Sequence, residues 1–341
     1  MRVRIPEPSV GFPPDFDHCR RVIREGSKSF HFASLMLPVD VRQAAFATYA
    51  FCRLADDEVD LGDDPVSALD RVSERLSQIY GERSFDHPID RAFSHIVKSY
   101  GLPQALPEAL LEGMKWDTQN RRYKTLEDVL DYAARVAGSV GAMMTVLMGN
   151  RSREAVARAC DLGLAMQLTN IARDVGEDAR AGRLYLPTDW MEDAGLDPEA
   201  FIENPIFDDR IQQVVKRLLD AADPFYDRGL SGVSLLPKEC QTAIRAAGKI
   251  YREIGVVLRQ LEYDSINNRA VVSKARKIKL LIAAARETSV PSSADAAANA
   301  TQYLVSAVAD KATNGKRPIP PTRINWVIDL YMRLERKERI V

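Results

Sequence analysis

Two sets of acidic residues stand where a helix would normally place its core. In "TYAFCRLADDEVD", residues 48–60, Tyr49, Arg53, Asp56 and Asp60 follow spacings of four, three and four. In "QLTNIARDVGEDARAGRLYLP", residues 167–187, Gln167, Asn170, Asp174 and Asp178 follow spacings of three, four and four. Residues three and four apart share one helical face, about 6 Å apart along the axis, so each set forms a polar stripe. Ala45, Phe46, Ala50, Phe51 and Leu54 surround the first stripe, and Leu164, Ile171 and Val175 flank the second, so both helices read as buried on their other faces. Unpaired buried carboxylates are very costly, and something cationic must meet them. Two such stripes facing each other across a bundle suit a hard divalent cation. Mg²⁺ takes oxygen ligands, keeps several waters and bridges carboxylates to substrate phosphates. Either motif alone also fits a solvated face on which Asp56 and Asp60 pair with Arg53 and Asp174 with Arg173. The two together favour a site.

The remaining polar segments fit a diphosphate. "GSKSF", residues 26–30, offers Gly26, Ser27, Lys28, Ser29 and Phe30: small hydroxyls, backbone N–H groups and one cation, with a plain helix cap as the alternative. Arg173, Arg180 and Arg183 flank the second stripe and read equally as surface charges. Gly176 interrupts its helix at a cost of roughly 1 kcal/mol relative to Ala, which is explained if a ligand or partner helix comes close there. Ala137, Gly138, Gly141 and Ala142 recur at helical spacing and read first as a close helix–helix contact, second as a smooth wall beside a long apolar ligand. Phe30, Phe32 and Tyr251 are candidates to line the same channel.

The elements that must position these residues are helical. Apolar periodicity runs through 40–60, 125–149, 153–178, 210–230 and 238–264, with Pro224 expected to break or kink the fourth. Pro and Gly cluster at 62–65, 101–103 and 182–187, and no alternating strand pattern appears, so the expectation is an all-α fold. With 341 residues, 46% hydrophobic and 28% charged, the chain has ample length for one large core. Net charge is −1, without the basic bias of a nucleic-acid partner. Four scattered Cys and four scattered His argue against zinc and disulfides, and point to a reducing cytoplasm. The N-terminus lacks the apolar run of a signal peptide. The most apolar stretch, 136–149, is too short to span a bilayer.

The C-terminal part reads differently. "SVPSSADAAANA", residues 289–300, has the composition of a surface linker. Ile324, Val327, Ile328 and Tyr331 then form an apolar stripe ending in basic residues, which fits a helix docked on the body or a membrane-surface anchor. The division is therefore a domain over 1–288 and an extension over 289–341.

"YAFCRLADDEVD", "RVAGSVG" and "QLTNIARDVGEDARAGRLYLP" resemble the squalene/phytoene synthase family, on its bacterial phytoene-forming side. "GSKSFHFAS" and "GMKWDTQNRRYKTLEDV" sit where the family has similar segments, and the resemblance covers about residues 16–285. It implies a single helical domain of the isoprenoid (prenyl) synthase type with a central cavity. It implies a prenyltransferase that condenses two geranylgeranyl diphosphates head to head, through prephytoene diphosphate, to phytoene for carotenoid synthesis. Carried over, Asp56, Asp60, Asp174 and Asp178 bind Mg²⁺ (Mn²⁺ as a substitute), with Asn170 a further ligand. Ser27, Ser29, Tyr49, Arg53, Gln167 and Arg173 hold diphosphate or intermediate, Tyr251 is an aromatic site residue, and Arg269 a basic diphosphate contact. Arg183 and Tyr185 fall in the flap after the second motif. Phe51 stands where Trp is common. No nicotinamide cofactor and no nucleic acid is expected. The implied partners are a downstream phytoene desaturase and a peripheral membrane contact. Squalene or dehydrosqualene synthesis from farnesyl diphosphate is the nearest alternative. A chain-elongating prenyltransferase fits D-D-x-x-D at 56–60 but not the sequence at 174–178. A non-catalytic helical scaffold is the alternative of another class.

Overall fold

The computed structural model describes residues 15–26, 31, 34–61, 65–81, 83, 86–287 and 296–309, and among them there is no β-strand. The expected all-α architecture holds. In chain order the helices are α1 (Asp15–Gly26), α2 (Val39–Leu61), α3 (Pro65–Tyr80), α4 (Pro88–Tyr100), α5 (Ala105–Thr118), α6 (Leu126–Ala133), α7 (Ser139–Leu147) and α8 (Arg153–Arg180). They continue as α9 (Thr188–Asp193), α10 (Pro198–Glu203), α11 (Asp209–Ser231), α12 (Lys238–Gln260), α13 (Lys274–Arg286) and α14 (Gln302–Ala309).

Their ends follow local chemistry. Thr125 and Asp128 form a reciprocal capping box at the start of α6, and Ser152 accepts the N–H of Ala155 at the start of α8. Gly101 closes α4 in the left-handed conformation, φ 58°.

Helix α8 is the axis. Its apolar residues go round its whole circumference, and it packs against α7, α11, α12 and α14. Its first half (Val156, Cys160, Leu164) joins a core with Phe46 and Phe51 of α2, Phe93 of α4 and Leu304 of α14. Its second half (Leu168, Ile171, Val175) joins another with Leu218 and Tyr226 of α11 and Leu258 of α12. Gly163 lets α8 approach the 134–138 turn: a Cβ there would lie 2.6 Å from the Ala137 carbonyl oxygen. The small-residue stripe is thus a close contact first.

Four expectations change. The helix read over 125–149 is divided by a π-helical turn, Ala134–Gly138, in which the N–H of Ser139 reaches back to the Ala134 carbonyl. Helix α11 runs unbroken through Pro224, held there by packing of Leu219, Ala222 and Tyr226 into the core. Helix α12 stops at Gln260, because Glu262 and Tyr263 take positive φ of 53° and 62°. Of the segment read as a linker, Ala297, Ala298 and Ala300 pack against the main core, and α14 buries Leu304, Val305 and Val308 in it. Short Ala side chains in a surface-like composition are also what a tight helix contact needs. The stripe at 324–331 lies outside the described residues.

Asp161 of α8 has no solvent exposure. Arg158 Nε lies 3.2 Å from its carboxylate, and Arg228 of α11 forks onto it at 2.9 and 3.2 Å. Removing the acid would strand the buried Arg158 guanidinium and deprive the half-buried Arg228 of this carboxylate. Asp161→Asn should cost about 3–5 kcal/mol of stability, read as a lowered denaturant midpoint with an unchanged transition slope.

Candidate active site

Helices α2 and α8 run the same way along one elongated cavity of about 490 Å³. Ala45, Thr48, Tyr49, Cys52, Arg53 and Asp56 of α2 line it, as do Ala155, Ala159, Gly163, Gln167 and Asn170 of α8. At 1.5 Å per residue these stretches cover about 16 and 22 Å of wall. One end is polar: Asp56, Arg53, Gln167 and Asn170, joined by Asp117 of α5 and Tyr251 of α12. The other is apolar: Leu37, Ala45, Met148, Leu236 and Ala243. Ala137 and Gly141 also line it, so the small-residue stripe serves both readings.

At the polar end, charges are paired by close neighbours. Arg53 reaches Asp56 at 2.9 Å and Asp57 at 2.5 Å. Arg173 forks onto Asp174 through Nε at 2.8 Å and through a terminal nitrogen. Arg269 bridges Asp174, at 3.2 Å, and Glu177. Both pairs foreseen for a solvated face, Arg53 with Asp56 and Arg173 with Asp174, do form, at the mouth of a cavity. Asp60 lies in α2, and its side chain is outside the described residues.

Two carboxyls are short of cations. Asp178 is pushed up to about 7, first by burial and then by the charge of Asp174, with Arg183 opposing. Asp117 is pushed up to about 6 by burial, offset by bonds from two hydroxyls and by Arg183. Tyr185 donates to Asp117 at 2.8 Å and Tyr132 at 3.0 Å, and their rings stack with centroids 5.1 Å apart. Asp56 and Asp178 each interact electrostatically with Asp117, so the two stripes and α5 share one field.

Asn170 carries a further signal. Its amide nitrogen reaches Gln167 at 3.5 Å, while its buried Oδ1 has no hydrogen-bond partner. A buried acceptor beside clustered carboxylates is a donor set of hard oxygens. Among the described residues no three acids converge tightly enough to hold an ion unaided. The donors present suit a cation that keeps waters and takes ligand oxygens as well.

The other candidates are placed as follows. Gly26 ends α1 against Tyr49, a cavity-lining residue, where a Cβ would lie 2.6 Å from the Tyr49 hydroxyl. Ser27, Lys28, Ser29, Phe30 and Phe32 lie outside the described residues. Tyr251 lines the cavity near Tyr49, Arg173 and Asp174. Phe51 is not at the site: it stacks on Phe93 in the core, centroids 4.4 Å apart. Gly176 makes room for neither a ligand nor a helix. A Cβ there would lie 2.7 Å from Ile266 Cα, and its N–H meets the Ser265 carbonyl at 3.1 Å. Arg180 holds the same loop through the Ile266 carbonyl at 3.2 Å. That docking delivers Arg269 to the acids. Asp117 and Tyr132 were missed. A single acid ending "LLEGMKWD" has no periodic partner, and a lone Tyr on an apolar face looks like core.

The squalene/phytoene synthase family profile matches residues 23–276. The phytoene synthase of Rhodobacter capsulatus is 54% identical over 270 residues, 78% of this chain and 80% of its own. That of Cereibacter sphaeroides is 52% identical over 274 residues, 77% of each chain. Among solved structures, a dehydrosqualene synthase superposes with TM-score 0.73 at 32% identity, over 80% of this chain and 95% of its own. Squalene synthase HpnC from Alicyclobacillus acidocaldarius gives 0.67 at 27%, over 73% and 94%. The chain belongs to the squalene/phytoene synthase family.

Asp117 and Asp178 bind protons more tightly in the folded chain than in the unfolded one. The metal-free protein should therefore lose stability as pH rises from about 4 through 7. Thermal melts in a chelator should show that slope, and Asp178→Asn should remove most of it.

Proposed function

We propose that this chain is a phytoene synthase, a prenyltransferase joining two geranylgeranyl diphosphates head to head with Mg²⁺ at the acid end of the cavity. The observation that carries the reading is the cavity's polarity. Asp56, Asp117 and Asn170 close one end, and an apolar channel runs from them past Met144 and Met148 to Leu37 and Leu236. That shape suits a diphosphate head with a long hydrocarbon tail. Identity of 52–54% to phytoene synthases, against 27–32% to solved dehydrosqualene and squalene synthases, favours the twenty-carbon donor.

In this reading Asp56, Asp60, Asp174, Asp178 and Asn170 hold the metal. When bound, Mg²⁺ supplies charge stabilisation for the departing diphosphate. The protein's own part is positional. Arg53, Arg173 and Arg269 exchange their carboxylate partners for diphosphate oxygens, and Arg183 screens the acids from the flap. The allylic C–O bond of one substrate breaks, its electron pair leaving with the diphosphate; the double bond of the second substrate attacks the carbocation, and loss of a proton closes the cyclopropane ring. Walls such as Val136, Val140, Met144 and Leu162 keep water from that cation through the cyclopropyl stage. A second ionisation, rearrangement and proton loss complete phytoene, which would pass to a desaturase. The hydroxyls of Tyr132 and Tyr185 fix the Asp117 carboxyl in place throughout.

The test is product analysis after purified protein and Mg²⁺ meet each donor separately. A forty-carbon phytoene from geranylgeranyl diphosphate is expected. A thirty-carbon product from farnesyl diphosphate alone would move the chain to the squalene branch, and no product from either would favour the scaffold. Asp174→Asn should lower turnover at least about 100-fold. It should also abolish Mg²⁺-dependent thermal stabilisation, worth about 2.7 kcal/mol in the unaltered protein at a hundred times the dissociation constant.

A further inference from the structure

Helix α13, "KARKIKLLIAAAR", carries Lys274, Arg276, Lys277, Lys279 and Arg286 and no acid. Its buried side is narrow. Ala284 is fully covered, and Leu281 packs beside it on a cluster containing Leu37, Leu236 and Ala243. Arg276 is held by Glu253 at 2.6 and 3.0 Å. Lys274, Lys279 and Arg286 are exposed and form no ion pair with a described residue. Apolar side chains show between them: Ile282 is 37% exposed, and Val271, just before the helix, is 68% exposed, the highest value of any large hydrophobic among the described residues.

Leu37, Leu236 and Ala243 also line the apolar end of the cavity. One layer of side chains therefore separates that end from α13, while Tyr251, two turns further along α12, stands at the acid end.

We infer that α13 and Val271 form a docking surface for an anionic lipid bilayer, which seats the apolar end of the cavity against the membrane. The cations match lipid phosphates, and Val271 and Ile282 reach the acyl boundary. A polyanion without an apolar layer would leave those two side chains in water. The value of such a seat, for a hydrocarbon product insoluble in water, rests on the proposed reaction. Among the described residues no helix is long and apolar enough to cross a membrane.

The experiment is flotation of the full chain with vesicles, without substrate, so its failure leaves the reaction assignment standing. Binding is expected to vesicles of mixed phosphatidylglycerol and phosphatidylcholine at low salt, and to be far weaker with phosphatidylcholine alone. Each neutralised cation should cost about fivefold, so Lys274→Gln, Lys279→Gln and Arg286→Gln together should weaken binding about 100-fold. Val271→Ser with Ile282→Ser should weaken it about tenfold. Turnover in detergent should be unchanged in both variants, since none of these residues lines the cavity. No binding to anionic vesicles overturns the inference, as does equal binding to neutral ones or full binding by the triple variant. So does loss of binding in a comparison variant of the C-terminal segment, Arg333→Gln, Arg336→Gln and Lys337→Gln.

Discussion

Asp56, Asp117, Asp174 and Asp178 repel one another at one end of the cavity, and Asp117 and Asp178 do so under burial. Like charges brought together under burial either take up protons or acquire cations. This protein does both. Asp117 and Asp178 are raised toward neutrality, while Asp56 and Asp174 are met by Arg53, Arg173 and Arg269. The arginines act as internal counter-ions to these carboxylates. They are also flexible donors with geometry for phosphate oxygens. In the proposed reaction a ligand that brings its own cation would free them, so the ion pairs and the proposed diphosphate contacts draw on the same side chains.

Holding the acids there constrains parts of the fold that never touch them. The loop after α12 is fixed by bonds to α8 through Gly176 and Arg180, and by Asp264, which accepts the N–H groups of Ile266 and Asn267 at 3.1 and 2.9 Å. Glu262 and Tyr263, both left-handed, are the conformational cost of turning the chain sharply enough to reach that position. Gln212 of α11 stabilises the turn by donating to the Glu262 carbonyl at 2.9 Å.

What the sequence disclosed depended on whether the signal was periodic. The acid stripes repeat at helical spacing in apolar surroundings, so their helices, their shared field and the identity of Tyr49, Arg53, Gln167 and Asn170 as neighbours were readable. Gly176 was visible as an anomaly, but the loop it admits lies some ninety positions away, and nothing local names it. Asp117 and Tyr132 are single residues whose meaning comes from each other and from Tyr185, on three separate elements. The alanines at 297–300 carry no hydropathy contrast, so their composition fits a linker and a packed contact equally.

The direction of α2 and α8 adds a constraint that side chains alone do not reveal. Both helices point their C-termini toward the acid end, and α2 has no basic residue in its last turn. A helix C-terminus carries about half a negative charge, so Asp60 and Asp178, in or near the last turns, sit where acids are disfavoured. A diphosphate is disfavoured there for the same reason, which is the reverse of the usual anion site at a helix N-terminus. An anionic substrate can settle at this end only with cations between it and the protein. Arg53, Arg173 and Arg269 are the cations the chain itself offers for that purpose. The apolar tail, confined to the channel between the same two helices, fixes which way round it lies.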